Sequence, residues 1–151
     1  MKLSRKNITM QVLSKFIENN LDKIENVETK ANQITFKTIE GVKKVKIKTS
    51  KNYSEGEDPN TYLLWTSFSS KELEEQYDYM IIICSENIDK ALVFTREELK
   101  QHYALEAKKK KNGDIDFDLY PHFIGRICID ARVHSDKESI DITKYVNNYI
   151  F

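Results

Sequence analysis

The sequence predicts an α/β (α+β) fold in which a mixed β-sheet with a central hairpin is flanked by helices. Three patterns predict it: apolar residues at helical spacing near the N-terminus, strict alternation on both sides of a turn at Glu40-Gly41, and continuous apolar runs at residues 79–84 and 91–94. A continuous apolar run is typical of a strand covered on both faces. With 151 residues, 40% of them hydrophobic, the chain is predicted to form a single domain over residues 1–151.

The first element is predicted to be an amphipathic helix that is capped by Ser4 or Asn7 and ends near Asn26. Its apolar stripe consists of Ile8, Val12, Leu13, Phe16, Ile17, Leu21 and Ile24. A hairpin follows, and Gly41 is suited to its turn because glycine accepts a positive φ. Its two arms alternate apolar residues with polar or charged ones: Ile34, Phe36, Val45 and Ile47 against Thr35, Lys37, Lys44, Lys46 and Lys48.

The middle of the chain predicts a polar loop over residues 50–60 and then an aromatic-rich strand over residues 62–68. An alternating aromatic strand usually contributes to the core. The alternative is that Tyr62, Trp65 and Phe68 stack on unpaired bases.

Helix starts are predicted at two capping boxes, Ser69 with Glu72 and Thr95 with Glu98. Residues 108–118 are predicted to form a loop or hairpin tip, with an edge strand around Asp116. Residues 123–129 are predicted to form a strand, and residues 140–149 a short closing helix.

The charges exclude a strongly basic or acidic protein, because 24 Lys and Arg balance 24 Asp and Glu. Two lysine clusters nevertheless stand out as candidate contacts with a DNA or RNA backbone: Lys44, Lys46, Lys48 and Lys51, and Lys108, Lys109, Lys110 and Lys111. The alternative explanation is an exposed hairpin face or edge strand for the first cluster, and a solvated loop or helix end for the second.

Neither cysteine, Cys84 nor Cys128, has a partner at metal-ligand spacing, and the three histidines are scattered, so no metal site is predicted. The chain contains no run of about 20 apolar residues that would span a membrane. No apolar signal core follows the first residues. We therefore expect a cytoplasmic protein with no membrane partner.

The order helix, hairpin, strand, helix, strand resembles the core of the PD-(D/E)XK nuclease superfamily, which has the restriction-endonuclease-like fold. The segment Lys46-Ile47-Lys48-Thr49-Ser50 resembles the superfamily's third-motif strand, and residues 77–83 with 91–99 resemble the buried strand and the strand-to-helix segment that follow it. The resemblance covers roughly residues 8 to 106. It implies that Lys48 corresponds to the catalytic lysine of the active members.

Active members of this superfamily carry acidic residues on the first hairpin strand and two residues before the lysine, and these bind a divalent cation, usually magnesium. Here the first position holds residues 34–37, without a carboxylate, and the second holds Lys46. Side chains at i and i+2 of a strand project together, so two ammonium groups would repel a dication. The resemblance therefore implies a degenerate metal site and no cofactor, unless Glu40, Glu18 or Asp22 supplies a displaced carboxylate.

Three functions remain open from the sequence. The first is a nucleic-acid-binding domain that does not cut, in a restriction, defence or regulatory system. The second is an active magnesium-dependent endonuclease with displaced acids. The third is a protein-interaction or inhibitor domain, including a homodimer, with no nucleic-acid role.

Overall fold

The computed structural model describes residues 2–56, 58–106, 108–109, 115–131 and 139–151. Its helices are α1 (Arg5–Asn19), α2 (Ser70–Glu74) and α3 (Arg96–Glu106), with a 3-10 turn at Thr143–Tyr145. Its strands are β1 (Ile24–Lys30), β2 (Gln33–Thr38), β3 (Gly41–Ser50), β4 (Thr61–Leu63), β5 (Thr66–Ser69), β6 (Tyr79–Cys84), β7 (Asn87–Thr95), β8 (Lys108–Lys109), β9 (Ile115–Leu119), β10 (Pro121–Ile124), β11 (Ile127–Asp130) and β12 (Ile140–Asp141). None of the described helices is long and apolar enough to cross a membrane.

The largest sheet has five strands in the order β1-β2-β3-β6-β7. The β3–β6 pair is parallel, and the other neighbours are antiparallel. The β2–β3 hairpin turns at Gly41, which has a φ of 124°, a backbone conformation that glycine adopts readily. The predictions of a mixed α/β fold and of this hairpin are therefore confirmed.

The two faces of the large sheet bury separate apolar clusters. On one face α1 packs Ile8, Val12 and Phe16 against the sheet, where Val45 and Ile47 of β3 meet them. The other face is covered by α2, α3 and the two smaller sheets. Strand β6 contributes to both clusters, with Ile81 and Ile83 on one side and Met80, Ile82 and Cys84 on the other. This two-sided burial explains why its sequence shows no polar alternation.

Helix α1 begins where the sequence predicts, because Ser4 Oγ accepts the Asn7 N–H at 3.2 Å. The predicted end near Asn26 is wrong: the helix stops at Asn19, and β1 starts at Ile24. Buried Asn20 ends the helix because its amide Nδ2 donates to the carbonyls of Phe16 and Tyr149, both at 2.8 Å. Tertiary pairing of β1 with β2 then overrides the helical spacing of the apolar residues.

The aromatic run predicted as one strand is two strands, β4 and β5, which belong to different small sheets. The four-stranded sheet has the order β12-β11-β10-β4, and the three-stranded sheet has the order β5-β9-β8. Between β4 and β5, Leu64 donates its N–H to the Pro121 carbonyl at 2.8 Å, and Trp65 donates its N–H to Ser50 Oγ at 3.0 Å. Two consecutive residues thus donate to partners in different parts of the fold, so the chain does not continue as one regular strand.

Both capping boxes form the helix starts that the sequence predicts. Ser69 Oγ accepts the Glu72 N–H at 3.2 Å, and Thr95 and Glu98 exchange bonds of 3.1 and 2.8 Å. The bonds are local in sequence, which explains why their pattern can be read directly from the residues.

Three predictions for the C-terminal third are corrected. Residues 123–129 form the β10–β11 hairpin rather than one strand, with Gly125 at a φ of 59° in its turn. Strand β9 is not an edge, because it pairs with both β5 and β8. The predicted helix over residues 140–149 is wrong. These residues form β12, a 3-10 turn and a segment in which Val146 makes an isolated antiparallel β-bridge with Leu92.

We expect Asn20→Ala to lower the free energy of unfolding by about 2 kcal/mol, because the Phe16 and Tyr149 carbonyls lose a buried donor. The Phe151 N–H also loses its acceptor, Asn20 Oδ1. Urea titration followed by circular dichroism measures the change. Exposed Asn19 is the matched control, and Asn19→Ala should cost less than about 0.5 kcal/mol. Equal losses in the two variants would contradict this role of Asn20.

Candidate functional site

The lysines predicted to face nucleic acid lie on one side of β3. Lys44, Lys46 and Lys48 alternate with Val45 and Ile47, which are buried beneath α1. The lysine side chains therefore point to the opposite side, toward α2. Strand β3 is a central strand between β2 and β6, so the explanation that these lysines guard an exposed edge is wrong.

Helix α2 places carboxylates on this lysine face. Lys48 Nζ lies 2.5 Å from Glu72 Oε2, and Lys46 pairs with Glu75. Lys48 Nζ also donates to the Ser67 carbonyl at 2.6 Å and lies 4.3 Å from the centre of the Phe68 ring. The two ammonium charges are thus compensated within the fold. Each pair is partly exposed to solvent, so its contribution to stability is small, about 0–1 kcal/mol.

Lys44 stands at the start of this face beside a surface recess. The recess has a volume of about 280 Å³ and is lined by Val42, Lys44, Gln76, Tyr77, Asp78 and Arg96. Asp78 links two sides of the recess by hydrogen bonds. Its side-chain Oδ2 accepts the Lys44 backbone N–H at 2.8 Å, and its backbone carbonyl accepts the Arg96 backbone N–H at 3.0 Å. The recess therefore joins β3, the segment that precedes β6 and the first turn of α3.

Tyr77 is the most strongly perturbed group of this recess. Its side chain is 4% exposed, and burial raises its pKa to about 12, against the lowering effect of Arg96. The carboxylates of Glu72, Glu74 and Glu97 raise the pKa further. Its hydroxyl has no hydrogen-bond partner among the described residues.

None of the three candidate displaced acids is brought to Lys48. Glu40 precedes the first residue of β3, so it is separated from Lys48 by roughly 25 Å of extended chain. Glu18 belongs to α1, on the opposite face of the sheet, and Asp22 lies in the turn between α1 and β1. The carboxylates that do reach the lysine face come from α2. The capping box predicted this helix, but not that it folds onto β3.

The residues of this face do not fit a divalent cation. Each nearby carboxylate, Glu72 and Glu75, is already bound by an ammonium group. Among the residues that the structure describes, no cluster of three or more His, Cys, Asp or Glu side chains could hold a metal ion. Magnesium needs several oxygen ligands in octahedral geometry, and two lysines beside them oppose its charge.

The other lysines that were predicted to contact nucleic acid do not take part in the ion pairs of Lys46 and Lys48. Lys51 follows β3, and its Nζ lies 4.8 Å from the centre of the Tyr53 ring. Lys108 and Lys109 form β8, at the edge of the three-stranded sheet. Lys110 and Lys111 lie outside the described residues.

An aromatic platform, made of Tyr53, Trp65 and Tyr120, borders the C-terminal end of β3. Trp65 and Tyr120 stack with ring centres 6.4 Å apart and planes within 5°, and Tyr53 meets Trp65 edge-on at 5.9 Å. Phe68 is buried, as an alternating aromatic strand predicts, but Trp65 is 45% exposed and Tyr53 38% exposed. Tyr53 and Tyr120 are isolated aromatics in separate segments, so no sequence pattern groups them with Trp65.

Comparison with known protein families, with curated proteins and with solved structures finds no match to this chain. Its function therefore has to be inferred from the residues of the chain and their arrangement.

We expect Tyr77→Phe to leave stability near pH 8 almost unchanged, because the hydroxyl that it removes has no hydrogen-bond partner in the described part of the chain. At higher pH the unfolded tyrosine ionises near 10 while the folded one remains protonated up to about 12. The unfolded state then binds fewer protons, so the wild type loses stability as pH rises through this window. Urea unfolding should show the variant about 1 kcal/mol more stable than the wild type at pH 11, relative to pH 8. Parallel pH profiles would contradict the raised pKa.

Proposed function

We propose that this chain is a nucleic-acid-binding domain of restriction-endonuclease-like fold that does not cleave its ligand. The observation that carries the proposal is the pair of ammonium groups, Lys46 and Lys48, on one face of β3. In a nuclease of this fold, a carboxylate would replace the first of them and bind a metal. Two lysines at these positions suit an anionic backbone better than a dication.

The order of elements supports the fold assignment. Helix α1 precedes the β2–β3 hairpin, with β1 between them, and strands β4 and β5, helix α2 and strand β6 follow the hairpin in that order. Strand β6 then lies parallel to β3 in the same sheet. Lys48 is on the strand where the resemblance expects the catalytic lysine.

The ion pairs of Lys46 and Lys48 limit the affinity of the proposed binding. A phosphate has to compete with Glu72 and Glu75 for the lysine ammonium groups, so affinity should be modest at physiological salt. Lysine acts as a point charge and contacts the backbone rather than reading bases. Such a protein would bind without strong sequence preference and with a marked dependence on salt.

Filter binding at several salt concentrations tests the proposal, with DNA and RNA of single- and double-stranded form. We expect binding at low salt that weakens steeply as salt rises. Absence of binding to every form at low salt would contradict the proposal and favour a protein-interaction or homodimeric domain. Magnesium-dependent cleavage that Lys48→Ala abolishes would instead establish the endonuclease alternative.

Removing the competing carboxylates should strengthen binding. We expect the double variant Glu72→Gln with Glu75→Gln to bind about tenfold more tightly at low salt, a change of about 1.4 kcal/mol. The amides keep the shape of the side chains but release the ammonium charges of Lys46 and Lys48. The same filter-binding titration measures the effect.

Glu74→Gln is the matched control because Glu74 is on the same helix but lies 3.8 Å from Arg96 and Lys100 instead. It removes one negative charge without releasing the β3 lysines, so its affinity should change less than about threefold. A double variant that binds no better than this control would show that the lysine face does not contact the ligand.

A further inference from the structure

Among the described residues, the aromatic platform leaves large parts of the Trp65 and Tyr53 side chains exposed. Trp65 stacks on Tyr120 with planes within 5°, yet its side chain is 45% exposed. Tyr53, 38% exposed, stands edge-on beside it. Trp and Tyr side chains that lie in contact on a surface are typical of binding sites, since they offer large rigid contact area.

The platform is held in place by backbone hydrogen bonds rather than by its rings alone. The Trp65 N–H donates to Ser50 Oγ at 3.0 Å, and the Tyr53 N–H donates to the Leu63 carbonyl at 2.7 Å. The Tyr120 N–H donates to Oδ1 of buried Asp130 at 3.1 Å. These bonds therefore fix each of the three segments within the fold before any ligand arrives, which lowers the entropic cost of binding.

The platform is continuous with the lysine face of β3. Ser50, which anchors Trp65, lies two residues after Lys48 on the same side of the strand. Lys48 Nζ donates to the carbonyl of Ser67, two residues after Trp65. Lys51 Nζ lies 4.8 Å from the centre of the Tyr53 ring. The ammonium groups of Lys48 and Lys51 thus lie near the chain segments that carry the platform.

We infer that the ligand of this surface is a single-stranded nucleic acid, with an unpaired base stacked on Trp65 and its backbone directed along Lys51 and Lys48. A base in a duplex is already stacked on its neighbours and cannot reach a ring on a protein surface, whereas an unpaired base can. The inference rests on the proposed function and narrows it to unpaired strands.

The carboxylate of Asp118 defines which part of the indole meets the base. Asp118 Oδ1 lies 3.5 Å from Trp65 Nε1 and repels phosphate from that edge. The base therefore stacks on the part of the ring away from Asp118, and the phosphates lie on the side of Lys51. Stacking is indifferent to base identity, so the strand is bound with little sequence preference.

Trp65 is the only tryptophan of the chain, so its fluorescence reports directly on the platform. The chain of 151 residues is titrated at low salt with oligothymidylate, with a single-stranded RNA and with a DNA duplex of equal length. We expect single strands to quench Trp65 fluorescence and to bind about tenfold more tightly than the duplex. Filter binding under the same conditions gives affinities that do not depend on the fluorophore.

Variants of Trp65 separate stacking from charge. Trp65→Ala should weaken single-strand binding about tenfold and leave duplex binding within about twofold, whereas Trp65→Phe should retain part of the single-strand preference because it keeps a ring. Circular dichroism and urea unfolding confirm that each variant is folded. Tyr62→Ala is the control variant. Tyr62 is an aromatic residue of β4 outside the platform, and its OH accepts a hydrogen bond from Asn87 Nδ2 at 3.2 Å.

Each outcome decides the inference. Equal binding of duplex and single strands with unchanged Trp65 fluorescence would overturn it while the proposed function stands. No binding of any nucleic acid at low salt would overturn both. A protein partner that is captured from nuclease-treated lysate by the wild type and lost with Trp65→Ala, without single-strand binding, would assign the platform to a protein interface instead.

Discussion

The rest of the structure depends on strand β3, because β3 lies inside the sheet and its side chains enter two different environments, one on each face. One face buries Val45 and Ile47 beneath α1. The other carries lysines into partly covered space, where an uncompensated ammonium group is unfavourable. Helix α2 resolves this conflict by placing Glu72 and Glu75 on the lysines. The position of α2 depends as well on Leu73, which is buried in the apolar cluster on this side of the sheet.

The same ion pairs shape the proposed activity. A surface whose lysines are internally neutralised attracts a polyanion only weakly over distance, which agrees with the balanced charge of the whole chain. In the proposed binding, contacts that do not depend on charge become important, and the platform of Tyr53, Trp65 and Tyr120 would supply them. Short-range stacking beside displaceable ion pairs is a physically consistent way for a neutral protein to hold a nucleic-acid strand.

Local features of the fold were predictable from the sequence to the extent that their stabilising bonds are local. The Ser4 cap, both capping boxes and the turn at Gly41 depend on residues a few positions apart, and the structure has each of them. Strand β1 was missed because Leu21 and Ile24 continue the helical spacing, and the buried amide of Asn20 interrupts it through a contact with distant Tyr149. The split of the aromatic run depends in the same way on distant Pro121.

The sequence by itself determined the class of fold, the central hairpin and the alternation that places Lys44, Lys46 and Lys48 on one side of β3. Tertiary structure alone decided what those lysines face and which aromatics remain exposed. The physical reason is that periodicity specifies only which side chains share a face. The charges and rings that meet this face come from α2 and from the segments around Tyr53 and Tyr120, which no local spacing connects to it.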